Sequence, residues 1–157
     1  MRRRDLLGLL CCTAAGWPAA SRAQQLAMPL IGFLGLSSPG AFSPRLSAFR
    51  KGLAEAGFVE NRNVAIEYRW ADDDVSRLQE LAADLVRRNV NVIATAGGPA
   101  PALAAKAATS TIPIVMTNDG DPVGDGLVAS LARPGGNITG LSTFAPELSG
   151  KRLEILR

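Results

Sequence analysis

The sequence predicts an α/β fold, a doubly wound parallel five-stranded sheet with helices on both faces. Short apolar runs that end in glycine or polar residues alternate along residues 24–157 with segments whose apolar residues recur at helical spacing. The resulting order, βαβαβαβαβα, needs a crossover after each strand. Right-handed crossovers then place helices on both faces of the sheet.

The first strand is predicted at 30–34, an apolar run closed by Gly35. We expect the first helix to begin at Ser43, because serine is a good N-cap and Pro44 suits the first helical position. Gly57 offers a left-handed stop for this helix. The residues expected to face the core from it are Leu46, Phe49 and Leu53.

The second strand is predicted at 63–69, where apolar and polar residues alternate. Aspartates at 72–74 provide the cap of a second helix, and a third strand at 90–94 follows it. The third helix has Pro99 near its first turn and ends at about Ala108. The second helix is expected to pack through Leu78, Leu81, Ala82 and Leu85.

The fourth strand is predicted at 112–116, and its Pro113 favours an early or edge position where the missing N–H is tolerated. Asp121 and Pro122 then repeat the cap and first-position pattern of a helix. A fifth strand at 137–141 and the start of a fifth helix at 149–157 complete the order. The buried stripe of the fourth helix is expected to be Val123, Leu127 and Leu131.

Residues 1–23 have the three parts of a secretory signal peptide. A basic start at 2–4 precedes an apolar run at 6–20, and small residues stand at −3 and −1 of a cut before Gln24. The run is shorter than the roughly 20 residues that cross a bilayer as a helix. We therefore expect cleavage to a periplasmic protein that does not span the membrane, by either the general or the twin-arginine route.

The whole formal charge of +3 lies in this leader, so residues 24–157 are neutral. A neutral body argues against nucleic-acid binding driven by phosphate neutralisation. The chain has no histidine, and its two cysteines, Cys11 and Cys12, both lie in the leader. Residues 24–157 therefore offer no imidazole or thiol for zinc binding or for nucleophilic catalysis.

No cofactor or metal is predicted. The spacing of a dinucleotide fingerprint and the Gly-Lys-Ser/Thr of a phosphate loop are both absent from the sequence. Asp119, Asp121 and Gly124 imitate the start of a calcium loop, but Val123 and Ser130 stand where ligands are needed.

Ligands of doubly wound sheets bind at the carboxyl ends of the strands, which selects the loops at 36–42, 96–101, 117–121 and 142–145. Gly97 to Ala100 either present helix amides to an anion or form a tight turn, or do both. Asp121 is interpreted as a helix cap before it is considered as a ligand contact. Asn118 and Asp119 lie at a strand end. Two interpretations of them carry equal weight: contact with a ligand, and simple exposure on the surface.

Several segments resemble the ABC transporter substrate-binding proteins of the tryptophan/tyrosine type, which have the type I periplasmic binding fold. The most specific is SLARPGGNITG at 130–140, preceded by DPVG at 121–124. The others are the leader end GWPAASRAQQ at 16–25, FRKGL at 49–53, NRNV at 61–64, YRWA at 68–71 and GKRLE at 150–154.

This resemblance implies that residues 24–157 are the N-terminal lobe of a solute-binding protein, truncated before its second lobe. Such a protein is not an enzyme; it captures a small polar, amino-acid-like ligand between two lobes and delivers it to a membrane permease with its ATPase. With half the cleft, this chain is expected to bind its ligand weakly or not at all. Carried over by position, the ligand-binding residues are Ser37, Ser38, Gly98, Pro99, Ala100, Asn118, Asp119 and Thr143.

Two other classes of protein stay open. The same fold serves ligand-sensing domains of signalling proteins, although an exported chain without a span disfavours that class. A small α/β enzyme could use Asp119 or Asp121 as an acid or base, but the sequence offers no paired carboxylates to support it.

Overall fold

A computed structural model describes residues 28–142 of the chain, apart from the side chains of residues 118 and 119. Five parallel strands form one sheet in the order β2-β1-β3-β4-β5, which confirms the predicted α/β class. The predicted leader at 1–23 and the helix at 149–157 lie outside the described residues. The strands are β1 (Leu30–Gly35), β2 (Ala65–Trp70), β3 (Val92–Ala96), β4 (Ile114–Asp119) and β5 (Ile138–Ser142), and the helices are α1 (Pro39–Glu55), α2 (Leu78–Arg87) and α3 (Pro99–Ala108).

Successive strand residues point to opposite sides of the sheet, so the sheet has two faces of side chains. Helices pack on both of these faces. On one face, Leu34 and Ile93 are fully buried under α2 and α3, together with Leu85 of α2. On the other face, Phe33 and Ala94 are buried beneath α1. The residues predicted to face the core from the first and second helices belong to these two cores.

An aromatic cluster anchors α1 to the sheet. Phe33 of β1 has no exposed surface, and four aromatic rings have centroids 5.2 to 5.7 Å from its own. The tilted geometry of these contacts is the one that aromatic pairs prefer. The four rings are those of Phe42, Phe49, Tyr68 and Trp70.

The first helix begins five residues before its predicted start. Ser38 is the N-cap, with its Oγ accepting a hydrogen bond from the Ala41 N–H at 3.4 Å, and Pro39 takes the first helical position. The sequence holds two Ser-Pro pairs, and Pro44 of the second one lies inside the helix. The earlier pair prevails because a helix from Pro39 buries Phe42 in the aromatic cluster.

The predicted fourth helix is wrong, because residues 120–137 form turns and bends. Asp121 does act as a cap, but of a turn: its Oδ1 accepts from the Gly124 N–H at 2.9 Å. Leu127 is buried, while Leu131 of the same predicted stripe is 54% exposed. Glycines throughout the segment make a continuous helix costly there, and one buried leucine does not offset that cost.

The first strand starts at Leu30 as predicted, and the other strand boundaries differ by one to three residues from their predicted positions. The fourth strand starts at Ile114, so Pro113 precedes the strand and its missing N–H removes no bond from the ladder. The Pro113 carbonyl still accepts from the Ile93 N–H at 2.9 Å. A position before the first strand residue is one of the few that proline tolerates in a sheet interior.

Candidate functional site

The loops that follow β1 and β3 meet at the carboxyl edge of the sheet. The chain leaves β1 towards β2 and returns on the other side of β1 as β3, so this edge is a topological switch point. The Leu36 N–H donates to the Ala96 carbonyl at 3.0 Å. A Cβ on Gly97 would lie 2.8 Å from the Leu36 Cβ, so only glycine allows this close approach. At the switch point, the loops that follow β1 and β3 therefore contact each other directly.

The N-terminus of α3 follows this contact directly along the chain. Gly97 and Gly98 have φ values of 102° and 92°, which favour glycine, and Gly98 caps the helix without a side chain. Pro99 and Pro101 carry no N–H. Ala100 is therefore the residue of the first three helical positions that has a backbone donor, and the helix dipole reinforces that donor.

The two serines after β1 have different roles. The Ser38 hydroxyl is used as the cap of α1, while the half-buried Ser37 hydroxyl has no hydrogen-bond partner within residues 28–142. Ser37 directly follows Leu36, which contacts the β3 loop. Of the two predicted serines, Ser37 has the free hydroxyl.

A loop that the sequence analysis left out joins the same edge. The Asp73 N–H, after β2, donates to the Leu36 carbonyl at 2.8 Å. Asp72 and Asp73 both have left-handed φ values, 53° and 65°. Hydrogen bonds from Ser76 lower the pKa of Asp74 in this loop. The three aspartates were used only to predict a helix cap, although their place after a strand also puts them at the carboxyl edge.

The ends of β4 and β5 complete the edge. The backbones of Asp119 and Ser142 are paired, with a register shift between Met116 and Asp119. The Ser142 Oγ donates to the Gly120 carbonyl at 3.3 Å, and the Thr117 Oγ1 donates to the carbonyl of Thr95 in β3 at 2.9 Å. The backbones of residues 118 and 119 thus lie at the predicted edge. Thr143 lies outside the described residues.

An ionic network lies away from this edge, on the α2 side of β2. Arg69 lies 2.7 Å from a carboxylate oxygen of Asp84 and 3.2 Å from one of Glu67. The Arg69 hydrogen bond is the largest cause that lowers the pKa of Asp84, and Arg88 and Arg87 add to it. Charged side chains on an edge strand oppose pairing with another sheet, so we interpret this network as structural.

An apolar hollow of about 900 Å³ opens on the α1 face of the sheet. Val115, Thr117, Thr139 and Leu141 form its β4 and β5 side, and Gly97 is part of its lining as well. We call it the α1-face hollow. Within residues 28–142, apart from the side chains of residues 118 and 119, no group of three or more metal-ligating side chains is present. In the same range, no helix combines the length and apolarity that crossing a bilayer requires.

Comparison with known proteins gives consistent matches. The family model for the ABC transporter substrate binding protein matches residues 36–157. A tyrosine-binding protein of Clostridioides difficile strain R20291 is 38% identical over 96 residues, which are 61% of this chain and 28% of that protein.

Two solved structures share the fold. A conserved domain protein of Vibrio cholerae matches with a TM-score of 0.72 and 30% identity, over 81% of this chain and 43% of that one. An ABC domain in complex with L-Trp, from Streptococcus pneumonia, matches with a TM-score of 0.67 and 29% identity, over 73% of this chain and 38% of that one. The chain spans less than half of each of these proteins.

Proposed function

Because this chain belongs to the ABC transporter substrate-binding protein family, we propose that it is the N-terminal lobe of an exported, non-enzymatic solute-binding protein. The two-lobed protein would capture an amino-acid-like ligand in the periplasm and deliver it to a membrane permease. The tyrosine-binding relative and the L-Trp complex support this ligand class. That the chain spans less than half of its relatives' length agrees with its matching one lobe of a two-lobed protein.

The observation that carries the proposal is the loop contact at the switch point. It joins Leu36, the residue before Ser37, to the loop that leads into α3, where Ala100 has the backbone donor of the first three helical positions. The Ser37 hydroxyl has no hydrogen-bond partner within residues 28–142. A carboxylate is the group that a hydroxyl and a helix N-terminal amide recognise together. We assign the ligand carboxylate to Ser37, Gly98 and Ala100.

An amino acid also carries an ammonium group, which needs acceptors. Asn118 and Asp119 lie at the end of β4 on the same edge, and we assign them to the ammonium group. Ser38 and Pro99 shape the two helix starts, and Thr143 follows the last described residue of β5. The side chain of the ligand would then extend towards the second lobe, which would set most of the specificity.

Ala100→Pro tests the assignment, because proline removes the amide donor yet is tolerated in the first turn of a helix. Nitrogen-resolved NMR of the chain with L-tyrosine and L-tryptophan should show shifts at residues 37, 98 and 100 in the unmodified chain. Loss of a hydrogen bond to a charged group should weaken binding about ten- to hundredfold in Ala100→Pro. Ala100→Gly keeps the donor and serves as the control. Equal binding by the two variants would contradict the assigned role.

The one-lobe part of the proposal has its own test. With half the cleft, the dissociation constant of the chain for either amino acid should be about 1 mM or weaker. Micromolar affinity by titration calorimetry would show that one lobe suffices. Genes for a permease and an ATPase beside this gene would support transport, whereas a neighbouring kinase gene would favour sensing.

A further inference from the structure

The pairing of β4 with β5 is irregular at the carboxyl edge. The ladder runs in step up to Met116 and Gly140, and its next pair is Asp119 with Ser142. The first strand therefore advances three residues while the second advances two, which is a β-bulge with one extra residue in β4. The other three strand pairs keep a continuous register across the described residues. Bulges are rare between parallel strands and frequent beside functional sites, so this one calls for a reason.

The bulge decides which residue of β4 stands opposite Ser142. In a regular ladder residue 118 would take that place, because it lies as far beyond Met116 as Ser142 lies beyond Gly140. The extra residue gives the place to Asp119 instead. A shift of one residue exchanges the two faces of a strand. The bulge therefore sets the register of positions 118 and 119, to which we assign the ligand ammonium group.

Gly140 allows the close approach of the two strands where the bulge begins. Its φ is 150°, a value that glycine adopts more readily than residues with a Cβ. A Cβ there would lie 2.7 Å from the Met116 backbone nitrogen and 2.8 Å from the Met116 Cβ, and it would overlap the Met116 carbonyl oxygen. Met116 is buried in the core under α2 and α3, where close packing resists displacement. An alanine at 140 would therefore push β5 away from β4.

Two side-chain hydrogen bonds hold the bulge in place. The Thr117 hydroxyl, inside the bulge, donates to the Thr95 carbonyl of β3 at 2.9 Å. Beyond the bulge, the Ser142 hydroxyl donates to the Gly120 carbonyl at 3.3 Å. The bulge is thus fixed from the β3 side and from the β5 side, while the glycine at its start provides the space.

We propose that Gly140 is a positioning residue for ligand binding. By letting β5 approach Met116, it maintains the bulge that places Asn118 and Asp119 for the ligand ammonium group. The inference rests on the proposed function, because the ammonium assignment belongs to it. It gives a role to the last residue of the motif at 130–140, which acts through the register of β4.

L-tryptophan and indole-3-propionate test this role, because the second compound lacks only the ammonium group. In NMR titrations, the unmodified chain should bind L-tryptophan about tenfold more tightly than indole-3-propionate. In Gly140→Ala, the two compounds should bind about equally. Gly136→Ala is the matched control: it lies in the same motif, and no described atom lies within 4 Å of its Cβ, so the tenfold preference should persist.

The ratio of the two dissociation constants separates positioning from a general structural effect. A loss of stability would weaken both compounds alike and leave the ratio unchanged. A tenfold preference that persists in Gly140→Ala would overturn this inference and leave the proposed function intact. No preference in the unmodified chain would contradict the ammonium assignment itself, and this inference would fall with it.

Amide NOEs measure the register of the strand pair without a ligand. The backbone contact between Asp119 and Ser142 should be present in the unmodified chain and lost in Gly140→Ala; a retained contact would overturn the inference. If Gly140→Ala does not fold, Thr117→Val provides the test, because it removes the hydrogen bond to β3 with a side chain of similar shape. It should reduce the preference for L-tryptophan to about threefold, and an unchanged preference would overturn the inference.

Discussion

Replacing Gly97 with alanine should destabilise the chain more than the same replacement at Gly98. The two residues are neighbours, and both have φ values in the left-handed region, 102° and 92°. Both alanines therefore incur backbone strain of about 1 to 3 kcal/mol. Only the alanine at 97 meets an obstacle, because its Cβ would lie 2.8 Å from the Leu36 Cβ, while nothing lies within 4 Å at Gly98.

The difference between the two variants measures the tightness of the switch-point contact. Overpacking against a fixed neighbour costs about 1 to 3 kcal/mol, so Gly97→Ala should lose that much more unfolding free energy than Gly98→Ala. Urea denaturation followed by circular dichroism gives both values. A Gly97→Ala chain too unstable to fold, beside a folded Gly98→Ala chain, would show the same ranking. Equal losses, or a larger loss at Gly98, would refute the idea that the β1 and β3 loops are in fixed contact.

Three further predictions follow from the packing and charges. Phe33→Ala should cost about 3 to 5 kcal/mol of unfolding free energy in urea, since it empties the centre of the aromatic cluster; a loss below 1 kcal/mol would contradict a packed cluster. Asp84→Asn should lower stability at neutral pH because Arg69 depresses the pKa of Asp84 in the fold. That contribution is present above the unfolded pKa of about 3.9 and is lost as pH falls through the lower folded value, so the stabilities of variant and parent should converge in acid. Lys106→Met should speed hydrogen exchange in the turns at 126–129, because the Lys106 Nζ donates to the Gly126 carbonyl at 2.6 Å; unchanged exchange, with Lys51→Met as the control, would show that the lysine does not hold these turns.

Local sequence patterns predicted the structure correctly where only one structural signal was present in a segment. The spacing of Leu78, Ala82 and Leu85 predicts the buried side of α2 correctly, because helical periodicity and burial agree there. They failed where two signals competed. Two Ser-Pro pairs could start α1, and the choice depended on the burial of Phe42 against β1, a contact distant in sequence. Likewise, the cap at Asp121 was recognised, but a cap alone does not make a helix.

The candidate site also has one part that the sequence predicted and another part that it could not predict. The sequence placed Ser37, Gly98 and Asp119 at strand ends, which is local information, and in a parallel sheet such ends share one edge. It could not show that Leu36 touches the β3 loop, or that the loop after β2 reaches the same point through Asp73. Those contacts require β1 to lie between β2 and β3, and strand order is not encoded in the spacing of residues.

By itself, the sequence determined the five strands and the first three helices, the neutral body without histidine or cysteine, and the family motifs, because each depends on residues close together in the chain. The tertiary structure decided the strand order, the meeting of three loops at the switch point and the α1-face hollow. The physical reason is that hydrogen bonds and van der Waals contacts act over a few ångströms of space, and only folding brings distant residues within that range.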